Sequence, residues 1–191
     1  MKLIKEEKMK GIDILVNEHE NVLQFTDSVK EKCISIFNGK ELNIEYFNKI
    51  IDFGRNYVDR HHHKEEEDIL FKKMKEALGM PISHIIDDGM MFDHNVGRMF
   101  LMNIEYAIQD FKMYGGDEYK FKIVSNAFNY ANMMEDHISK ENEVLYPYAE
   151  NNLEINHQNE INNLINKFEA EAENKGIQNK YMQLLQEIKQ S

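Results

Sequence analysis

The chain has 191 residues, of which 42 % are hydrophobic and 30 % charged, and a net charge of −11. That length suffices for one domain with a real core, while the shortage of lysine and arginine excludes the basic surface on which nucleic-acid binding depends. No apolar run reaches the ~18 residues of a membrane span, the first residues lack the apolar block and small-residue site of a secretory signal, and the lone Cys33 excludes an internal disulfide. These features are in keeping with a cytoplasmic protein.

With only two prolines and nine glycines, little interrupts long helices, and four stretches carry the 3.6-residue apolar period. The first runs from Gly11 to Phe37 with Ile12, Leu15, Val16, Val22, Leu23, Val29, Cys33, Ile36 and Phe37 on its stripe, and Gly39 follows as a stop. The second runs from Leu42 to Leu78 through Phe47, Ile51, Val58, Ile69, Leu70 and Met74, and ends at Gly79 and Pro81. The third runs from Ile82 to Tyr114 through Ile86, Met90, Gly97, Leu101, Ile104, Ile108 and Phe111. Gly115-Gly116 closes it, and Asp117 is placed to cap the next helix. The fourth runs from Glu118 to Tyr148 with Val124, Ala127, Ala131, Met134, Ile138 and Leu145 inward.

Long amphipathic helices joined by short connections predict an all-α, up-down-up-down four-helix bundle. The polar remainder predicts two short helices, Asn159–Glu173 and Ile177–Lys189, packed outside it. The expected organisation is an N-terminal extension over 1–10, the bundle over 11–150 and a helical tail over 151–191.

Histidine and glutamate interrupt the apolar stripes at matching places. His19 lies between Leu15/Val16 and Val22/Leu23, and His62 follows Val58 by four, with Glu66 and Leu70 at further intervals of four. His94 follows Met90 by four, and His137 is followed by Glu141 and Leu145 at the same interval. Two segments read His-x3-Glu-x3-Leu-aromatic, one from His62 to Phe71 and one from His137 to Tyr146. His19 to His62 and His94 to His137 each span 43 residues, so the chain reads as two related helix pairs with three site residues apiece.

One His-x3-Glu pair by itself is usually an exposed ion pair. Two matched copies, joined by two more stripe histidines, predict a buried metal site instead. Six such groups in one core would stay unsatisfied without a cation, and two metal ions bridged by two carboxylates would satisfy them. Imidazole plus carboxylate suits iron, zinc or manganese. Six protein ligands on two ions leave open positions for oxygen, nitric oxide or peroxide. On the second helix the Leu-aromatic alignment selects His62 and Glu66, with His63 and Glu67 as the alternative register and His61 and His63 as flanking or surface groups. His84 is expected at a helix start, His157 in solvent, and the methionines in the core. Tyr57 and Tyr130 are expected in the core near the centre.

Asn17-Glu18-His19, His62-His63-Lys64-Glu65-Glu66 with Leu70-Phe71, Phe92-Asp93-His94 with Arg98, and His137-x3-Glu141 with Leu145-Tyr146-Pro147 together resemble the hemerythrin-like, or HHE cation-binding, domain, in its bacterial four-histidine, two-glutamate type. The resemblance spans roughly residues 11 to 150. It implies a non-haem di-iron centre, oxo- or hydroxo-bridged, with His19, His62, His94 and His137 as terminal ligands and Glu66 and Glu141 as bridges; the donor set also accommodates zinc or manganese. It differs from the five-histidine oxygen carriers, because four residues after His94 stands Arg98. The implied role is binding or reaction of O2, NO or H2O2 in oxygen or nitrosative stress. The alternatives are a peroxidase, an NO reductase, an iron donor for iron–sulfur cluster repair, an iron or oxygen sensor, or a structural metal bundle.

Overall fold

The computed structural model describes residues 9–191, so most of the expected 1–10 extension lies outside the described residues. Helix α1 is Lys10–Phe37. Helix α2 covers residues 44–78, from Ile44–Phe53 to Lys72–Leu78. Helix α3 covers residues 80–114 and α4 residues 117–152. Two further helices, α5 (Ile155–Asn174) and α6 (Ile177–Lys189), complete the chain. Among the described residues there is no strand, and no helix is long and apolar enough to cross a membrane.

The turns follow from local chemistry. Gly39, Gly79, Gly115, Gly116 and Gly176 all have positive φ, which side chains with a Cβ disfavour. Asn43 caps α2 by accepting from the Glu45 and Tyr46 amides at 3.0 and 3.3 Å. That cap explains why α2 starts at Ile44 rather than Leu42. Asp117 does not cap α4: it is the first helical residue, Gly116 stands at the cap, and its carboxylate favours the positive end of the helix dipole. The ends at Phe37, Leu78 and Tyr114 and both ends of α6 stand where expected; the rest differ by one to four residues, α3 starting at Met80, α4 running on to Asn152 and α5 beginning at Ile155.

Helices α2, α3 and α4 are not uniform. Gly54–His63, Glu66–Phe71, Ile86–Met90 and Glu141–Leu145 are π-helical, with i→i+5 bonding. Such wide turns cost regular hydrogen bonding and recur at functional sites. Here they bring successive side chains onto one face.

Helix α4 packs along both α1 and α3, α2 lies against α3, and α5 and α6 cover the seam between α1 and α2. Gly54 lets α2 approach α3, since a Cβ there would stand 2.9 Å from both Leu101 methyls. Two apolar clusters fill the ends of the bundle. One joins Val22, Phe25, Phe53, Val58, Leu101, Tyr130 and Met134; the other joins Ile12, Leu15, Leu70, Phe71, Met74, Ile86 and Leu145. Phe37, read as part of the α1 stripe, is instead 88 % exposed, because it is the last residue of its helix and the chain turns away at Gly39.

Phe25 is fully buried and stacks on Phe53 with centroids 4.5 Å apart. Phe25→Ala should destabilise the metal-free protein by about 3–5 kcal/mol in urea unfolding, the range for emptying a packed aromatic site. A loss below about 1 kcal/mol would mean that this end of the bundle is loosely packed.

Candidate metal centre

A polar band crosses the core between the two apolar clusters. His19 on α1, His62 and Glu66 on α2, His94 on α3, and His137 and Glu141 on α4 are all buried there. His63 joins them, buried with its ring 3.7 Å from that of His94 and nearly parallel to it. The expectation of a surface position for His63 is therefore corrected, and His63, which the alternative register names with Glu67, stands in the interior. The π turn over Gly54–His63 brings His62 and His63 to the same interior, which an α-helical register would not do.

The side chains form two groups that share one carboxylate. His63, Glu66, His94 and His137 offer donor atoms within 4.8 Å of one another, and so do His19, His62, Glu66 and Glu141. Glu141 spans the groups as well: Oε2 lies 3.2 Å from His19 Nε2 and Oε1 lies 3.3 Å from His137 Nε2. Glu66 Oε2 lies 3.5 Å from His94 Nε2 and 3.7 Å from His62 Nε2. The two groups could hold two cations about a pair of bridging carboxylates.

The outward nitrogens are held in turn. His62 Nδ1 donates to Glu18 at 2.8 Å, His19 Nδ1 to Asn142 at 2.8 Å, and His94 Nδ1 to Glu67 at 2.7 Å, while His137 Nδ1 faces Asp93 at 3.4 Å. Each histidine thus presents Nε2 inward, with its ring oriented by an oxygen behind it, the arrangement that fixes a metal ligand. The partners obey the internal repeat. Asp93 stands 75 residues after Glu18, His94 after His19, His137 after His62, Glu141 after Glu66 and Asn142 after Glu67. Arg98, in place of a second α3 histidine, holds Glu67 at 2.7 Å and Asp59 at 2.6 Å.

The repeat is broken at three positions. His63 corresponds to Ile138, Glu67 to Asn142, and Tyr146 to Phe71. One group therefore has three imidazoles, and the other has two and a hydroxyl. Tyr146 donates to Glu66 Oε1 at 2.5 Å and stands 3.4 Å from His19 Nε2.

The donor set fits a divalent or trivalent cation. His62 Nε2, both His63 nitrogens, Glu66 Oε2 and both Glu141 oxygens are buried without a hydrogen bond, a costly state that a metal would relieve. Burial, reinforced by the His19 charge, lowers His62 to about 4. Burial and the adjoining His94 hold His63 well below its ordinary range, and burial lowers His94 too. These rings are thus neutral near pH 7, the form in which imidazole binds metal. Burial pushes Glu66 well above the usual carboxylate range, with Glu141 adding to the effect. Glu141 meets the same burial but is held low by His137 and by His19.

Glu18, Asp93, Asn142 and Tyr146 are not singled out as site residues by the apolar stripes, and Glu67 enters there only with His63 as the alternative register. Their signal is adjacency, since Glu18, Glu67, Asp93 and Asn142 stand next to His19, Glu66, His94 and Glu141 in sequence. Tyr57 and Tyr130 are core residues as expected, Tyr57 receiving a hydrogen bond from Asn21. His84 is exposed and lies 3.4 Å from Asp88 rather than binding at the helix start. Of the methionines, Met90 and Met134 are buried, whereas Met99 and Met102 are exposed.

Glu18→Gln should weaken metal binding about 10- to 100-fold in competition with a chromophoric chelator, the usual effect of removing a group that orients a ligand. Unchanged affinity would mean that Glu18 does not position His62.

Comparison with curated proteins and with solved structures returns no match. The family model for the hemerythrin HHE cation binding domain matches residues 10–149, a span that contains all seven inward residues and every one of their outward partners. By its sequence match, its helical bundle and its buried histidine–glutamate cluster, the chain belongs to the hemerythrin HHE cation-binding domain family.

Proposed function

We propose that this protein is a non-haem di-iron protein that binds or reacts with O2, NO or H2O2. In this reading residues 11–150 are the metal-holding bundle and residues 151–191 a tail upon it. The observation that carries the proposal is the pair of buried donor groups sharing Glu66. His19 and His62 would serve one ion and His63, His94 and His137 the other, with Glu66 and Glu141 bridging. Bound there, two irons supply redox equivalents and open positions for an exogenous ligand.

The asymmetry supports a location for that ligand. The His19–His62 side has one imidazole fewer than its counterpart, so it leaves more room. Tyr146 stands on that side, its hydroxyl on Glu66 Oε1. Burial, with the charge of Glu66, pushes the phenol well above its usual range, so it stays protonated and able to donate. The apolar clusters on either side keep bulk water from the centre, which strengthens each electrostatic contact within it.

A di-iron enzyme acting on peroxide or nitric oxide is the second reading. The Tyr146 hydroxyl favours it, because turnover of either substrate consumes protons.

Metal analysis and absorption spectroscopy test the reading. The iron-loaded protein should hold two irons per chain, with near-ultraviolet bands that change on exposure to air, peroxide or nitric oxide. One zinc per chain, or a spectrum inert to all three, would sink it. Glu66→Ala and Glu141→Ala should each lose iron while helicity by circular dichroism remains; collapse of the fold on metal loss would favour a structural role. Catalytic turnover of peroxide that falls at least tenfold in Tyr146→Phe, with iron content unchanged, would select the enzyme.

A further inference from the structure

We propose that Glu18, His61 and Glu169 form a separate mononuclear site for a divalent first-row transition ion, at the seam of α1, α2 and α5. His61-x3-Glu65 is the third consecutive histidine–glutamate pair at this spacing on α2, after His62-x3-Glu66 and His63-x3-Glu67 read one position earlier. The π turns aim it at α5 rather than at the bundle axis.

The geometry is that of a ligand set. Donor atoms of Glu18, His61 and Glu169 lie within 4.8 Å of one another. His61 Nε2 is 2.7 Å from Glu18 Oε1 and 3.2 Å from Glu169 Oε1. Phe168 stacks on the ring at 5.5 Å and holds it in place.

The second observation is that these donor atoms are unpartnered: His61 is buried, and His61 Nε2 and Glu169 Oε1 have no hydrogen bond. Glu65, one turn from His61 on the same helix, is 0 % exposed, and neither of its oxygens has a hydrogen-bond partner. A simple ion pair between His61 and Glu18 leaves Glu169 Oε1 and Glu65 unsatisfied. No lysine or arginine pairs with Glu18, Glu65 or Glu169 among the described residues. One imidazole with two carboxylates suits Mn2+ or Fe2+ better than a thiolate-seeking ion.

The site adjoins the dinuclear centre without being part of it. Glu18 turns Oε1 to His61 and Oε2 to His62 Nδ1, so one carboxylate links the two. Glu169 comes from the tail, which no helix of the four-helix bundle could replace. A groove lined by Arg60, His61, Lys64, Phe168 and Tyr181 gives access from solvent.

Manganese is the probe. Full-length protein titrated with Mn2+ should bind one more ion per chain than either His61→Gln or Glu169→Gln, whatever the dinuclear centre itself takes up. Crystals soaked in Mn2+ should show an anomalous peak at the manganese edge among Glu18, His61 and Glu169, apart from any peak on the bundle axis. Equal stoichiometry in the wild type and both variants, with no peak at the seam, overturns the proposal. The anomalous map decides if a variant fails to fold or if the two measurements disagree.

Discussion

Burying seven imidazoles and carboxylates in the middle of a helical bundle is the constraint on which the rest of the structure depends. Each such group loses its water, and the loss must be offset by a charge or a hydrogen bond. The outward nitrogens of His19, His62 and His94 meet this need with Asn142, Glu18 and Glu67. Several inward atoms do not: His62 Nε2, His63 Nε2, Glu66 Oε2 and the Glu141 oxygens have no hydrogen-bond partner. Imidazoles gathered around two carboxylates make a site prepared for cations. Apolar clusters fill the core above and below the centre.

The two halves of the chain present the same site elements at an offset of 75 residues, with local departures from that symmetry. Where one half has Ile138, the other has His63, which gives one donor group a third imidazole. Where one half has Phe71, the other has Tyr146, which gives the other group a hydroxyl. Matched π turns at Glu66–Phe71 and Glu141–Leu145 preserve the carboxylate geometry in both halves while the neighbouring residues diverge.

The tail is part of this chemistry. By covering the α1–α2 seam, α5 and α6 bury His61, which would otherwise lie on an open helix face, and bring Glu169 within 3.2 Å of it. Helix α5 thus brings a carboxylate to the edge of the polar band.

The sequence by itself determined the helical class, the four long helices and the six buried side chains His19, His62, Glu66, His94, His137 and Glu141, because all of these are written in periodicity. Intervals of three and four place a residue on a helix face, and the repeated His-x3-Glu pattern distinguishes a site from an exposed ion pair. Periodicity also explains the errors. It assumes 3.6 residues per turn, so it leaves His63 off the inward face, where the structure groups it with Glu66, His94 and His137. It reports which face of a helix is buried but not which helix covers it, so it could not foresee Glu169 beside His61 or Asn142 behind His19. Those pairings join residues more than a hundred positions apart, and only the packing of α4 and α5 against α1 and α2 decides them.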